Sequence, residues 1–289
     1  MKIKLFSVFT ICTIVLYTTF SCKEVDVLTK STTEVALLDT TYLTTTIEAP
    51  EAKVIVLEEF TGVRCINCAP GHAEALSIKT SNPGRVVTIA HHSHFLDDPY
   101  PYSYKSLTSD DAEDISNFIG PVSSKPTAAI DRKLYTGESS KILDKVKWSN
   151  KVNDQLLLTS PVNIHLTSVF NAIDTSAILT FTSHFTQSIS DPLKFSIMLT
   201  ESEIITAQLL PTMDVDTNYV HEEVLRDVIT EIEGNSIGTA TLEPGRVFVK
   251  QYRVKINSDW NPDNMHIIAF IHKTGSSYEI LQAAEIPLK

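Results

Sequence analysis

The sequence predicts an α/β domain followed by an all-β sandwich, and three observations carry that expectation. Apolar β-branched runs alternate with helix-like stretches from Lys53 to about Ser160. Beyond Ser160-Pro161 the apolar period shifts to two, with turn chemistry between short strands. The 289 residues are too many for one small core and about right for two domains of ordinary size.

The N-terminus reads as a secretory signal. Lys2 and Lys4 precede an almost charge-free apolar stretch over 5–20. That stretch is shorter than the ~20 residues a membrane-spanning helix needs. It ends at Thr19-Phe20-Ser21-Cys22, where a small residue before a cysteine resembles a lipobox, with Thr19 standing where Leu is usual. The expected organisation is a signal peptide over 1–21, a lipid-bearing Cys22, and a Thr/Ser-rich tether over 22–50 with room for one edge strand. Lys23-Glu24 after the cysteine resembles the Lys-acidic surface-export signals of Bacteroidetes lipoproteins. Loss of 1–21 removes Lys2 and Lys4 and no acid. The formal charge then moves from −11 to −13, with 22 basic against 35 acidic residues. A surface that acidic repels phosphate backbones, which sets nucleic-acid partners aside.

The first domain is expected over 51–160. Val54-Ile55-Val56-Leu57 has the continuous apolar texture of a buried parallel strand, and it leads through Glu58-Glu59-Phe60-Thr61-Gly62 to Cys65-Ile66-Asn67-Cys68. A helix follows, with Pro70 in its first turn and Asn82-Pro83-Gly84 as its stop. Val86-Val87-Thr88-Ile89-Ala90 is a second buried strand running into His91-His92-Ser93-His94. Ser109 is a natural N-cap for a helix with acids in its first turn and Gly120 at its end. Lys125-Pro126 leads a short strand, and residues 139–157 read as a final helix with Ile142, Val146, Val152 and Leu156 on one face. The second domain, 161–289, carries strands around Val162–Leu166, Ile178–Phe181, Phe195–Leu199, Val247–Val249 and His266–Phe270.

With Cys12 inside the signal and Cys22 carrying lipid, Cys65 and Cys68 are the remaining thiols, and an exported compartment permits them to be structural, catalytic or metal-binding. A strand leads into the pair and the pair opens a helix. Cys65 is therefore expected at a helix N-terminus, where unpaired N–H groups and the dipole favour a thiolate, with Arg64 adding positive charge on an exposed turn. Cys68 is expected one turn on, close enough to close a disulfide, and Glu59 at the strand end beneath the pair.

These features resemble the thioredoxin superfamily: Glu59-Phe60, the cysteine pair, the following helix and Pro126-Thr127 occupy the places of its buried acid, redox motif and cis-proline. The resemblance implies that Cys65 attacks, Cys68 resolves, Glu59 accepts the proton of Cys68, and a cis Pro126 shapes a peptide groove. Arg64 stands where thioredoxins have Trp, and Ile66-Asn67 replaces Gly-Pro. A broader resemblance is to the Omp28-related outer-membrane lipoproteins of Bacteroidetes. It is carried by Leu57 to Gly62, Ala90-His91, Pro126 to Arg132, His221-Glu222-Glu223-Val224-Leu225-Arg226, Trp260 and Ile280-Leu281-Gln282-Ala283. It implies an outer-membrane lipoprotein with a thioredoxin-like domain and an Ig-like sandwich.

Three functions follow as expectations. The first is thiol–disulfide exchange with protein thiols or disulfides, the work of an oxidoreductase. The second is surface binding or adhesion with an inert CxxC disulfide. The third is a copper or zinc carrier using the two thiols and His91, for which no fourth ligand stands out. No cofactor-binding motif is present, so none is expected. Tyr100, Tyr102 and Tyr104 are expected to pack on one another. Asp214, Asp216 and Asn218 begin like a calcium loop, but Tyr219 replaces the required Gly and Leu225 the closing Glu.

Overall fold

Residues 55–61 and 86–92 are buried along their whole length, and such strands can exist only with both sheet faces covered. The computed structural model describes residues 37–289; the signal segment and Cys22 lie outside the described residues. The elements run β1 (Asp39–Leu43), β2 (Ile55–Thr61), α1 (Cys68–Ser81), β3 (Val86–His92), α2 (Asp110–Ile119), β4 (Thr127–Ile130), β5 (Ile142–Asp144) and α3 (Trp148–Leu156). There follow β6 (Val162–Asn171), β7 (Ser176–Phe185), β8 (Leu193–Glu201), β9 (Ile204–Leu209), β10 (Val215–His221) and β11 (Val224–Val228). The chain ends with β12 (Asn235–Ser236), β13 (Arg246–Lys255), β14 (Met265–Lys273) and β15 (Ile280–Pro287).

The spine is a nine-stranded mixed sheet in the order β15-β14-β8-β11-β3-β2-β4-β5, with β12 added to β8. Within it β2 and β11 both run parallel to β3, and the other pairings are antiparallel. An antiparallel sheet β1-β13-β7-β6 and a hairpin β9–β10 complete the fold. Strand alternation sorts most buried side chains into three larger cores, and Val63, Leu107, Ile204 and Val224 form a small fourth cluster beside the cysteine turn. Ile55, Leu57, Ala128 and Ile130 pack under α1 and α3 through Ala75, Ile78, Trp148 and Val152. On the opposite face Val56, Phe60, Val87 and Ile89 meet Ala112, Ile115 and Ile119 of α2. The third core lies between the two sheets, with Phe181, Phe248 and Val254 from one and Phe195, Ile197 and Ile267 from the other.

The change of texture at Ser160-Pro161 falls between α3 and β6; two of the three larger cores respect it, and the small cluster of Val63, Leu107, Ile204 and Val224 spans it. The α2 core spans it too: Met198, Leu225, Ile268 and Phe270 join residues of the first half there. The tether region also contains β1, which pairs with β13. Ser109 caps α2 through its Oγ, which accepts from Ala112 N–H at 3.0 Å, and Gly120 ends it. The helix expected over 139–157 is shorter. Residues 142–144 pair with β4 instead, a 3-10 turn spans Lys145–Lys147, and Val146 is exposed. Ile142 and Leu143 complete the sheet edge, and that pairing overrides the helical periodicity.

A buried ion pair sits in the α2 core. Arg132 Nε and Nη2 donate to Glu58 Oε2 and Oε1, each at 2.7 Å, and neither residue is exposed. The guanidinium lies 4.9 Å from the Phe270 ring and 5.7 Å from that of Phe118. Burial pushes the Glu58 carboxyl up, but the Arg132 charge and hydrogen bonds outweigh it and hold it at about 2. Asp131 and Arg132 both adopt the left-handed conformation (φ 50° and 49°), a strain the pair must sustain. Arg132→Leu leaves a buried carboxylate alone and is expected to cost about 3–5 kcal/mol in denaturant unfolding. The double change with Glu58→Leu should recover much of that loss. If the double variant is as unstable as the single one, the pair is not the source of the cost.

Candidate functional site

At the C-terminal end of β2 the chain turns through Gly62 and Val63 to a disulfide joining Cys65 and Cys68, with Cα atoms 5.3 Å apart. Cys68 opens α1, and its N–H donates to the Cys65 carbonyl at 3.1 Å, so Cys65 stands one tight turn before the helix. Helix α1 turns Cys68, Gly71, His72, Ala75 and Ile78 inward, the spacing of one helix face.

Beneath the first turn of α1 lies Glu59. Its Oε2 is 3.1 Å from His72 Nδ1, while its Oε1 is buried with no hydrogen-bond partner among the described residues. Glu222 N–H donates to His72 Nε2 at 3.3 Å, so the ring that satisfies both contacts is neutral with its proton on Nδ1. Burial pulls the His72 pKa down, but Glu59, Glu222 and Glu223 outweigh it and raise it. Geometry and charge thus oppose each other on this ring. The Lys125–Pro126 bond is cis, and Pro126 faces Gly71: a Cβ on Gly71 would lie 2.6 Å from Pro126 Cβ.

Two segments cover the bridge. In loop 93–109, Leu96 C=O accepts from Arg64 N–H at 2.9 Å, and Asp97 Oδ1 accepts from Val63 N–H at 2.8 Å. Gly62 permits that approach, since a Cβ there would meet the Leu96 carbonyl oxygen at 2.4 Å. Lys125 Nζ donates to the Ser93 and Phe95 carbonyls, and burial pushes its pKa down to about 8 against the pull of Asp97 and Glu113. From the other side comes the hairpin β9–β10. Leu209 N–H donates to the Val63 carbonyl at 2.8 Å, and Gln208 Nε2 to those of Cys65 and Gly62 at 3.3 and 3.4 Å. Tyr219 and His221 of the hairpin pack ring to ring (4.8 Å), beside His72 and His92 respectively. Burial, with the charges of His92 and His72, pushes His221 down to about 2, so it is neutral at physiological pH.

Cys65, Cys68, Glu59 and Pro126 are thus brought to one place, but three expectations about their surroundings are corrected. The cysteine turn is not exposed: Cys65 retains 2% and Cys68 1% of its accessible surface, because the hairpin lies over it. Arg64 is directed to the loop, donating to the Asp98 and Pro99 carbonyls and lying over the Tyr100 ring at 4.3 Å. His91 is not a third ligand beside the cysteines. Strand alternation places it with Glu58 and Phe60 on the α2 face, opposite to Glu59. Its Nε2 is 3.3 Å from Glu58 Oε1, outside hydrogen-bond geometry, and its ring stacks on Phe60. His92 takes the cysteine side and pairs with Asp97 at 2.8 Å, whereas His94 is exposed. Tyr100 stacks on Tyr102, as expected, while Tyr104 is exposed. Sequence reasoning missed His72, Gln208, Tyr219 and His221. His72 follows Cys68 by four residues, a spacing that shares a helix face and that carried the signal.

Residues 115–286 match the family described as Outer membrane protein Omp28. No curated protein sequence is significantly similar to the chain. Among solved structures, the chain is similar to HBP35 of Porphyromonas gingivalis at 19% identity and a TM-score of 0.65, over 83% of this chain and 77% of that one. It is also similar to protein AGR_C_4864 from Agrobacterium tumefaciens at 13% identity and a TM-score of 0.50, over 83% and 97% of the two chains. At these identities the likeness is one of fold: a mixed sheet with parallel strands in its N-terminal part, joined to antiparallel sheets.

The contact between α1 and Pro126 is open to test. Gly71→Ala forces a methyl group against the proline ring and is expected to cost about 1–3 kcal/mol. Thermal unfolding of the oxidised protein measures it. An unchanged midpoint would mean that α1 and β4 move apart freely.

Proposed function

The chain belongs to the Omp28 outer-membrane protein family, whose name carries association with that membrane, and from that premise we propose an exported lipoprotein, anchored through Cys22, that performs thiol–disulfide exchange at Cys65 and Cys68. In this reading residues 51–160 are a thioredoxin-like region and residues 161–289 an Ig-like sandwich. The observation that carries it is the convergence on one disulfide of a helix start, Pro126 packed against Gly71, and the buried Glu59–His72 pair. A bridge that only staples a turn needs no acid beneath it.

In the reductive direction the Cys65 thiolate attacks a sulfur of the partner's disulfide. A Cys65–partner bond forms and the partner's first sulfur leaves as thiolate. Cys68 then passes its proton to Glu59 and attacks the Cys65 sulfur. The intramolecular bridge closes, the partner's second thiolate leaves, and the partner is reduced as this protein is oxidised. Run backwards, the same steps oxidise a partner dithiol. Because the bridge is buried, the β9–β10 hairpin or loop 93–109 must swing aside before a partner sulfur can approach.

That burial is also the observation favouring the second reading, a surface-binding lipoprotein with an inert bridge. Trapping separates the two. Cys68→Ala is expected to hold partner proteins covalently on Cys65, and Cys65→Ala to abolish exchange. Gln208→Ala removes a hairpin contact of about 1 kcal/mol and should speed reduction by dithiothreitol about fivefold. A reduction potential below about −300 mV, with no partner trapped, would sink the exchange reading in favour of the inert bridge. The anchor is tested separately: Cys22→Ser should move the protein from the detergent phase to the aqueous phase, and a wild-type protein already in the aqueous phase would refute it.

A further inference from the structure

On the outer face of the β1-β13-β7-β6 sheet, away from the disulfide, three side chains converge. His165 of β6 and His184 of β7 are diagonal neighbours, since His184 pairs with Asn163 and His165 with Thr182. Glu48, from the segment leading into β2, lies over both. Its Oε2 is 3.0 Å from His165 Nε2 and its Oε1 is 3.1 Å from His184 Nδ1, and the three donor atoms fall within 4.8 Å of one another. From this geometry we propose a binding site for a divalent transition ion of zinc's class, held by Glu48, His165 and His184, with its remaining position open to solvent.

Two imidazole nitrogens and one carboxylate oxygen are the donor set that zinc takes in three-ligand sites with a fourth position free. Ligands about 2.0–2.1 Å from a tetrahedral ion stand roughly 3.4 Å apart, close to the 3.2 and 3.1 Å that separate Glu48 Oε1 from His165 Nε2 and His184 Nδ1. Nε2 of His165 and Nδ1 of His184 offer lone pairs once each neutral ring carries its proton on the other nitrogen. The carboxylate is positioned from behind. Asn163, buried although it is on the outer face, donates through Nδ2 to Glu48 Oε2 and to the Ala49 carbonyl, both at 2.9 Å, and accepts from Glu51 N–H at 3.0 Å. This is the supporting contact that metal-ligating carboxylates need.

A second cluster, Glu223, His266 and Glu285, makes the contrast. The ammonium of Lys79 already occupies it, 2.6 Å from Glu223 and 2.9 Å from Glu285. No lysine or arginine is among the hydrogen-bond or charge partners of Glu48 among the described residues.

The test is calorimetric titration of the full-length oxidised protein in detergent with Zn²⁺, so that no free Cys65 or Cys68 thiol competes. Saturable binding of one ion per chain is expected, abolished in His165→Ala and in His184→Ala. Asn163→Ala and Glu48→Gln should each weaken it by about tenfold or more. His266→Ala should leave it unchanged. Co²⁺ as a probe should give the visible absorption of a tetrahedral site, lost in the same variants. His165 is exposed, so its replacement does not endanger the fold. Absence of saturable binding to the wild type, survival of binding in the two histidine variants, or its loss in His266→Ala would each overturn the proposal.

Discussion

The dipeptide Asp131-Arg132 is the point on which the surrounding architecture hangs. Arg132 is buried, and a buried guanidinium must find an acceptor geometry that matches its planar fork, which Glu58 supplies. The rings of Phe118 and Phe270 then box the cation, so α2 and β14, elements far apart in sequence, are located by one charge. Asp131 works beside it. Its carboxylate takes Val56 N–H and the Lys53 ammonium, and its carbonyl takes Ile280 N–H, tying β2 to β15. Left-handed backbone at both residues is tolerated because these contacts over-determine it.

The same strand that supplies Glu58 supplies Glu59, and the period of two sends the neighbours to opposite faces. One becomes a permanent anion matched by Arg132. The other lies beneath the disulfide with a histidine for a partner and one oxygen unspent. Two adjacent carboxylates thus acquire different characters from the face each meets. Of the two, only Glu59 retains an unpaired oxygen, and a one-residue slip in the register of β2 would exchange the faces they meet. Around the bridge, Gln208, Leu209 and Leu96 use their backbone or amide groups to close the site. The sulfur pair is therefore held in a medium where neighbouring charges act more strongly than they would in water.

Much of the scaffold was readable from residues alone. Continuous apolar runs announced β2 and β3, Ser109 and Gly120 bounded α2 within the chain, and Pro126 marked the start of β4. These signals are local, and local chemistry decides them. What escaped was non-local. The pairing of residues 142–144 with β4 overrode helical spacing, and the hairpin at 204–221 showed nothing in its own sequence to say what it covers. Exposure of Cys65 was misjudged for that reason, and Arg64 because its loop partners lie some thirty residues downstream. His91 shares the face of Val87 and Ile89, as its parity in β3 implies, and what the sequence did not show is that this is the face away from the cysteines.

Strand β11 has a consequence for the order of assembly. It lies between β3 and β8, with Val224 opposite Ala90 and the Glu223 carbonyl receiving Ala90 N–H at 2.8 Å. A chain made or exported from its N-terminus presents residues 86–92 long before residues 224–228 appear. Until they do, β3 has an open edge and the α2 core lacks Leu225 and Val228. Folding must therefore close its sheet late and over a long loop, which is slow. The interval is one in which a helper that shields strand edges would have most to do.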